Sequence, residues 1–372
     1  MKRLLPWLAA VALASVGCDR GESAGSSGSK GPLSNAASPA AQAVPTPSAV
    51  AAIPASDGSA RARLPLVLER DVSLPGNSNR FDYQEIDPAS GHLVIAHMND
   101  DSVLVVDARN GSVLKELTGI RTARGVAIGG DVGRIFVTSS PNQLVIIDNK
   151  TLNEMARVPT GRGPDGVGWD PTHKMVGVSD QSDGALSLIA DAGSGSRRQV
   201  PLGSETGNVV FDPTRGWFWI TVLKSMRPDQ LVAVEPTSGK VAIQIALPGC
   251  KGAHGLRLHP DGQSAFVACE DNSVLARVDL AGAKLVGTGR TGKDPDVLSV
   301  DPGLQWLYVA AESGDLTVFD IGKPGINLID RENVGSASHS VAIDPSTHRV
   351  FFPLKAGPKG VPVLRIMRPS TE

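Results

Sequence analysis

Several features that would place this chain in a familiar functional class are scarce or missing. Only 4% of the 372 residues are aromatic, and 36 Lys and Arg are balanced by 38 Asp and Glu without a long basic stripe. Nucleic-acid-binding proteins need a basic surface and, for single strands, stacking aromatics, so nucleic acid is not an expected partner. No apolar run after residue 20 is long enough to span a bilayer.

Cofactor motifs are also absent from the sequence. The chain has three cysteines and contains neither a CxxC nor a CxxCH spacing, so covalent haem is not expected and a cysteine metal site is disfavoured. The glycine-rich turns precede no helix, so no nucleotide-binding phosphate loop is predicted. The cofactor is unknown at this stage, and a divalent metal stays open.

The amino terminus has the form of an export signal. Lys2 and Arg3 precede an apolar run over residues 4–16, and Cys18 follows directly after Gly17. Residues 15–18 resemble a bacterial lipobox, with Ser15 where Leu is usual, which predicts a lipoprotein signal peptide over residues 1–18 and a lipid on Cys18. The alternative is an ordinary secreted protein with a cleaved signal. We therefore expect a monomer on the periplasmic or cell-surface side that contacts the membrane only through its lipid anchor.

The next segment is built from small and polar residues. Residues 19–63 are mostly Ala, Ser, Gly and Pro, with almost no large apolar side chains. Such a composition cannot bury enough surface to offset the entropy of ordering, so a disordered linker is predicted.

A short phrase recurs seven times in the rest of the chain. Counted at its middle residue, the copies are 42, 41, 42, 47, 42 and 43 residues apart. The middle residues are Asp87, Gly129, Asp170, Asp212, His259, Asp301 and Asp344. A period of this size with strand-like content, with 41 Gly and 27 Pro for tight turns, predicts an all-β, seven-bladed β-propeller over residues 64–368, followed by a tail over 369–372.

The two ends of the repeat region are out of phase with the blades. Leu66 to Leu74 has the character of an outer fourth strand, whereas Val363 to Met367 has that of a third strand. The last blade therefore lacks an outer strand that the first segment can supply. We expect these two segments to pair and close the ring, which removes an aggregation-prone edge.

Two cysteines remain besides Cys18, and both lie in the fifth repeat. Cys250 and Cys269 flank the turn at Pro260-Asp261-Gly262, and a hairpin folded there brings them opposite each other. An oxidising compartment favours a disulfide between them, and two buried thiols are the alternative.

Polar residues recur at one offset, five residues before each repeat centre. The position opens the innermost strand of each blade, at the mouth of the central channel, and it is occupied by Asp82, Arg124, Asp165, Gly207, His254, Asp296 and His339. Asn208 lies beside the one glycine. Loops that open onto the same face add His97, Glu270 and Glu312. These side chains, Gly207 excepted, form the predicted ligand-binding set.

Three chemistries suit this set of side chains. His254, Asp296, His339 and Asp82 could hold a divalent metal ion. A carboxylate–imidazole pair could act as a general base, which makes His254, Asp296 and His339 the catalytic candidates. The groups could also orient a small polar molecule. The alternative to all three is that the side chains bond only to one another and to the loop backbone.

Two segments carry a resemblance to a known family. Residues 163–171 (GPDGVGWDP) followed by Val176-Gly177-Val178, and residues 293–302 (KDPDVLSVDP) with Leu307-Tyr308-Val309-Ala310, resemble the YVTN repeat of YncE-like seven-bladed propellers. The resemblance covers about residues 65–368. It implies an exported propeller and does not fix an activity.

The sequence leaves three functional interpretations. The first is a lipid-anchored extracytoplasmic propeller that binds a small polar ligand, a metal or a protein partner at the channel mouth without chemistry of its own. The second is a metal-dependent, lactonase-like hydrolase with its His and Asp residues in the channel. The third is an interaction scaffold in an envelope assembly.

Overall fold

The computed structural model describes residues 66–224 and 228–370, which form seven four-stranded antiparallel sheets. The innermost strand of each sheet contacts the innermost strand of the next, and the seventh contacts the first. The sheets are therefore blades of a closed ring, which confirms the predicted seven-bladed propeller. The predicted signal peptide 1–18 with Cys18, the predicted linker 19–63 and the final two residues of the predicted tail 369–372 lie outside the described residues.

The first four blades follow one plan, from the innermost strand to the outermost. Blade 1 comprises β2 (Gln84–Asp87), β3 (His92–His97), β4 (Ser102–Asp107) and β5 (Val113–Thr118). Blade 2 comprises β6 (Val126–Gly129), β7 (Arg134–Ser139), β8 (Gln143–Asp148) and β9 (Glu154–Pro159). Blade 3 comprises β10 (Pro164–Asp170), β11 (Met175–Asp180), β12 (Ala185–Ile189) and β13 (Arg197–Pro201). Blade 4 comprises β14 (Thr206–Asp212), β15 (Trp217–Val222), β16 (Gln230–Val234) and β17 (Val241–Ala246).

The last three blades differ only in how the seventh is completed. Blade 5 comprises β18 (Ala253–Leu258), β19 (Ser264–Cys269), β20 (Val274–Asp279) and β21 (Lys284–Arg290). Blade 6 comprises β22 (Pro295–Asp301), β23 (Trp306–Ala311), β24 (Asp315–Asp320) and β25 (Asn327–Asn333). Blade 7 comprises β26 (Ala342–Asp344), β27 (Arg349–Leu354), β28 (Val363–Pro369) and, from the start of the chain, β1 (Leu66–Ser73).

Helical structure in the described residues is limited to single 3₁₀ turns. They lie at Met98–Asp100, Gly130–Val132, Gln181–Asp183, Asp191–Gly193 and Glu270–Asn272. Within the described ranges, no helix has the length and apolar character that a membrane span requires.

The core lies between neighbouring blades, in layers of branched apolar side chains. Val94 and Val105 of blade 1 pack with Val137 and Val145 of blade 2, for example, and all four are fully buried. Each such side chain contributes about 2 kcal/mol through burial. Because the middle strands are covered on both faces, Val, Ile, Leu and Phe fill them almost without interruption.

The recurring phrase forms the turn that follows each innermost strand. The Asp301 carboxylate accepts hydrogen bonds from the backbone N–H of Gly303 at 2.9 Å and of Leu304 at 3.0 Å. Asp side chains favour such turns because they replace a backbone acceptor. His259 takes this role in blade 5, since its Nδ1 accepts from the N–H of Asp261 at 3.1 Å.

Ring closure takes place as the sequence predicts. β1 pairs antiparallel with β28, from Leu66 opposite Pro369 to Ser73 opposite Val363. The guanidinium of Arg365 donates two hydrogen bonds to the carboxylate of Asp71, at 2.9 and 2.8 Å. The first described strand therefore supplies the outer strand of blade 7.

The predicted pairing of Cys250 with Cys269 is also present. The two sulfur atoms are bonded, and the Cα atoms are 5.3 Å apart. Cys269 ends β19 directly before Glu270, whereas Cys250 lies in the loop that leads to His254. The disulfide therefore fastens together the two chain segments that carry these site residues.

Candidate metal and ligand site at the channel mouth

A repeated irregularity aims side chains into the channel mouth. β10, β14, β18 and β22 each contain one extra residue, at the same point, relative to the strand they pair with. In β10, for example, Pro164 pairs with Asp180 and Val167 with Val178, so three steps along β10 face two steps along β11. Such a bulge leaves a residue out of the ladder and redirects its side chain. The residues at the bulges include Asp165, Gly207, His254 and Asp296, which is the offset that the sequence singled out.

Hydroxyl side chains tie the bulges of neighbouring blades together. Thr138 Oγ1 of blade 2 donates to the carbonyl of Asp165 in blade 3 at 2.6 Å. Thr221 Oγ1 of blade 4 donates to the carbonyl of His254 in blade 5 at 2.9 Å. Both hydroxyls are fully buried, so the backbone under the site is held rigidly.

His254 is the centre of the first cluster. Its Nδ1 lies 3.2 Å from Asp296 Oδ1 and 3.4 Å from Glu270 Oε1. Its Nε2 lies 3.1 Å from Asp165 Oδ2. One imidazole thus meets three carboxylates, and two of them share one nitrogen.

His339 is the centre of the second cluster and is less well satisfied. The residue is only 2% exposed, and neither ring nitrogen has a hydrogen-bond partner among the described residues. The nearest carboxylate oxygens are Glu312 Oε2 at 3.5 Å from Nδ1 and Asp82 Oδ1 at 3.8 Å from Nε2. A buried imidazole without partners is unfavourable unless a further ligand binds it.

Asp296 connects the two clusters. Its Oδ1 accepts a hydrogen bond from the hydroxyl of Tyr83 at 3.3 Å, in addition to the contact with His254. Its Oδ2 lies 3.9 Å from Arg80 Nη2, which is beyond hydrogen-bond distance. The Arg80 guanidinium bonds instead to Glu312.

His254 of blade 5 contacts Asp165 of blade 3 across blade 4, whose residue at the same offset is Gly207. A Cβ on Gly207 would lie 2.8 Å from His254 Cα and 2.6 Å from Thr221 Oγ1. Those distances are too short for any real side chain. The missing side chain therefore lets the backbone at His254 lie close against blade 4.

One cavity of about 510 Å³ collects most of the predicted residues. Its lining includes Asp82, Arg124, Asp165, His254, Glu270, Asp296 and Glu312. His339 lies beside the cavity, in contact with Asp82 and Glu312. Arg124 lies at the edge of this set, where its Nη1 is 3.3 Å from Asp165 Oδ1 and donates to Gln181 Oε1 at 3.2 Å.

Two residues of the predicted set lie elsewhere. His97 is completely buried, stacks on Phe81 with 4.0 Å between ring centroids, and has its Nδ1 3.6 Å from Asp100 Oδ2. Asn208 lines the channel below the mouth, and its side-chain oxygen accepts from the N–H of Val209 at 2.8 Å. The structure therefore does not bring His97 or Asn208 into the cluster.

A salt bridge crosses the channel beneath the site. Arg257 on β18 of blade 5 donates from Nη1 to Glu85 Oε2 at 3.2 Å and from Nη2 to Glu85 Oε1 at 3.3 Å. Glu85 lies on β2 of blade 1. The two strands are innermost strands of non-adjacent blades, so the side chains span the axis. The pair makes a two-point contact across the channel.

Burial and charge shift the pKa values of the first cluster in different directions. Burial acts to lower the pKa of His254, but hydrogen bonds and charges from Asp165 and Asp296 outweigh it and raise the pKa well above its usual value. Burial raises the pKa of Glu270 to about 7, supported by the charges of Asp296 and Asp165 against the opposing effect of His254. Burial also opposes ionisation of Asp296, but His254, His339 and Arg80 lower its pKa to about 2.

The second cluster shows the same competition. Burial raises the pKa of Asp82 above its usual value, and His339 only partly offsets this effect. Burial acts to lower the pKa of His339, but Asp82 and Asp296 outweigh it and raise the pKa. Without a ligand, acidic and imidazole groups thus share protons at the mouth.

The donor atoms have the spacing of metal ligands in two overlapping groups. In each group, the atoms lie within 4.8 Å of one another: His254, Glu270 and Asp296 form one, and Asp82, Asp296 and His339 form the other. A tetrahedral ion bound at about 2.0–2.2 Å separates its ligands by about 3.3–3.6 Å. The distances from His254 Nδ1 to Asp296 and Glu270 match that spacing closely.

Some participating residues were not predicted from the sequence. Arg80 lies between β1 and the offset residue Asp82, Tyr83 follows Asp82 directly, and Gln181 comes from a 3₁₀ turn. Arg80 and Tyr83 flank Asp82 closely, so polar residues next to the offset were the available signal.

Comparisons with known proteins support the fold alone. No protein-family model matches the chain, and no curated protein sequence matches it. Among solved structures, it is similar to a chain of hydrazine synthase from Kuenenia stuttgartiensis, with a TM-score of 0.68 and 16% identity over 78% of this chain and 96% of that chain. The seven-bladed architecture is thus shared with a solved protein, and the YVTN resemblance stays a prediction from sequence.

Proposed function

We propose that this protein is an exported binding protein that holds a divalent transition-metal ion at the channel mouth and, through it, a small polar ligand. The observation that carries the proposal is the set of His254, Glu270 and Asp296, with one imidazole nitrogen 3.2 and 3.4 Å from two carboxylate oxygens. A single proton on that nitrogen can serve only one of these acceptors well, whereas an ion can bind all three groups.

The charge of the cavity favours a cation. The carboxylates of Asp82, Asp165 and Asp296 are almost completely buried, and Glu270 and Glu312 add two more at the rim. Among the described residues that line the cavity, Arg80 and Arg124 carry the opposing permanent charge. Buried carboxylates that outnumber the cations around them are stabilised by binding protons or metal ions. In the ion-free protein, the pKa values of Asp82 and Glu270 are raised, so these two groups hold protons more readily than usual.

The choice of ion follows from the ligand types. Imidazole nitrogen with carboxylate oxygen suits zinc, manganese or iron better than calcium or magnesium, which prefer oxygen alone. A four-coordinate ion held by these three groups would have one position free for a ligand, and the adjoining cavity of about 510 Å³ has room for a small polar molecule.

The proposed cellular location rests on the sequence. The basic, apolar and Cys-containing start of the chain supports export and lipidation of Cys18, and the disulfide between Cys250 and Cys269 fits an oxidising compartment. If the protein is found in membrane fractions and the Cys18→Ser variant is not, this location is supported. A cytoplasmic pool insensitive to that substitution would contradict it.

Metal content tests the proposed function. The full chain is freed of metal with a chelator, dialysed separately against Zn²⁺, Mn²⁺ and Ca²⁺, and analysed for bound ion. We expect tight binding of Zn²⁺ or Mn²⁺ that is lost in His254→Ala and in Glu270→Gln, which keeps the side-chain volume. His173→Ala is the matched control, because His173 also pairs with a carboxylate but lies outside the cavity. An absence of bound ion at every loading would refute the proposal.

A second candidate function is metal-dependent hydrolysis of an ester or lactone. It is favoured by the three-ligand set, because catalytic zinc sites use three protein ligands and leave the fourth position for water. In this reaction the water oxygen bonds to the carbonyl carbon, the carbon–oxygen ester bond breaks, and the water protons go to the products, an acid and an alcohol. Turnover of lactones by the metal-loaded chain, absent in His254→Ala, would support it, and binding without turnover would favour the first proposal.

A further inference from the structure

A second group of donors meets the same 4.8 Å limit on spacing as the first. Asp82, Asp296 and His339 bring their ligand atoms within 4.8 Å of one another, and all three residues are buried. They come from blades 1, 6 and 7, whereas the first group comes from blades 5 and 6. The two groups are therefore neighbours around the ring and have Asp296 in common.

His339 supplies an independent reason to place a ligand in the second group. It is 98% buried as a residue, both ring nitrogens lack hydrogen-bond partners among the described residues, and the closest oxygens are 3.5 and 3.8 Å away. Leaving both nitrogens unsatisfied in a rigid, desolvated position costs free energy. A metal ion between Nε2 and Asp82 would use the nitrogen lone pair and satisfy one of these atoms directly.

Asp296 is placed to serve two ions at once. A carboxylate has two oxygens and can bind one ion with each. The Tyr83 hydroxyl and the strand end at β22 hold its orientation, and Arg80 stays too far from Oδ2 for a hydrogen bond. Paired metal sites commonly hold their ions about 3.5–4 Å apart, a separation that a bridging carboxylate spans.

We propose that the channel mouth holds a pair of divalent ions, with Asp296 as the carboxylate that bridges them. The first ion is bound by His254 and Glu270, and the second by His339 and Asp82. The inference rests on the proposed function, because the first ion is the one already assigned there. Both ions face the same cavity, so a ligand with two oxygen donors could contact both.

Stoichiometry separates this inference from the proposed function. The full chain is loaded with Mn²⁺, its bound ion is counted, and its electron paramagnetic resonance spectrum is recorded. We expect two ions per chain with the spectrum of a spin-coupled pair. His339→Ala should bind one ion and give the spectrum of an isolated Mn²⁺, whereas His173→Ala should retain two coupled ions.

Further variants separate the loss of a metal ligand from a loss of folding. Asp82→Asn and His339→Gln keep the side-chain size and should also reduce the stoichiometry from two to one, with melting curves close to that of the parent. Asp296→Asn should abolish the coupling and weaken both sites. One ion per chain, unchanged by His339→Ala, would overturn the pair and leave the proposed function standing. Two ions without coupling would overturn the bridge, and no bound ion would refute both proposals.

Discussion

Gly207 of blade 4 and His254 of blade 5 occupy complementary positions: the absent side chain of one provides the space that the other uses. The Cβ that Gly207 lacks would lie 2.8 Å from His254 Cα, and the imidazole reaches past blade 4 to within 3.1 Å of Asp165. The ring offset thus carries a polar side chain in six blades, and in blade 4 it is a glycine because the backbone of His254 lies too close for a side chain. The position of the His254 backbone therefore depends on the glycine at residue 207.

Replacement of Gly207 by alanine should disturb the site more than the fold. The added Cβ meets Thr221 Oγ1 and the backbone of His254, so this backbone must shift, which disturbs the contacts of the imidazole with its carboxylates. We expect a loss of stability of about 1–3 kcal/mol and at least about tenfold weaker metal binding. Melting curves and metal titration measure both effects. Gly130→Ala is the control, since a Cβ there finds only an ordinary contact at 3.8 Å, and equal effects of the two substitutions would contradict this account.

The ion-free chain should lose stability as pH rises from about 4.5 to about 7. Burial raises the pKa of Glu270 from 4.5 to about 7, so the folded state binds more protons than the unfolded state between these values. The raised pKa of His254 acts in the same direction: its stabilisation is complete below pH 6.5 and is lost above it. Chemical unfolding at several pH values, without metal, measures the slope. Glu270→Gln should flatten it, and an unchanged slope in that variant would contradict the assignment.

At low pH the trend should reverse. The pKa of Asp296 falls from 3.8 to about 2 in the folded state, so its stabilisation is present above pH 3.8 and is lost as pH falls toward 2. We therefore expect a stability maximum near pH 4–5 for the ion-free chain. Asp296→Asn should remove part of the loss on the acid side when unfolding is measured between pH 2 and 4. A profile identical to that of the parent would show that other carboxylates dominate.

Reduction of the disulfide should affect both stability and metal binding. The bond between Cys250 and Cys269 closes a loop with a sequence separation of 19 and should contribute about 3 kcal/mol. Because it holds the segments carrying His254 and Glu270 together, the variant with both cysteines replaced by serine should also bind metal more weakly. Unfolding and metal titration in the presence and absence of reductant test this. Reductant should have no effect on the serine variant, which makes it the control.

Loss of the closing strand should prevent the ring from forming. Deletion of residues 64–74 removes β1 and exposes the edge of β28, so we expect an insoluble or poorly folded product. Deletion of residues 50–60, a segment of the same length in the predicted linker, is the control and should leave the melting temperature unchanged. If both deletions melt like the parent, the role given to β1 is wrong.

The repeat predicted the blades, the closing strand and the residues at the channel mouth because each of these follows from a period. The offset of Asp82, His254, Asp296 and His339 is a regular property of the propeller, and bulges reinforce it at His254 and Asp296. Arg80 and the salt bridge between Glu85 and Arg257 have no such regularity. These contacts depend on the lengths and directions of individual side chains, which the repeat period does not specify.

His97 lies apart from the cluster for a reason that the repeat does not contain. Its position in a loop at the mouth suggested a ligand-binding role, but the segment before β2 folds over it. Asp100 accepts hydrogen bonds from the backbone N–H and the side chain of Asn77, both at 2.7 Å, and the Phe81 ring covers the imidazole. That segment lies outside the repeat, so its path could not be inferred from the period.

The pairing of β1 with β28 has a consequence for chain connectivity. Leu66 lies opposite Pro369, so the first and last described strands are adjacent in one blade, about 5 Å apart. A short linker could therefore join these ends, and new termini could be opened in any turn between blades without breaking a strand pair. The propeller should tolerate circular permutation, and the order in which its blades are synthesised is not fixed by the folded ring.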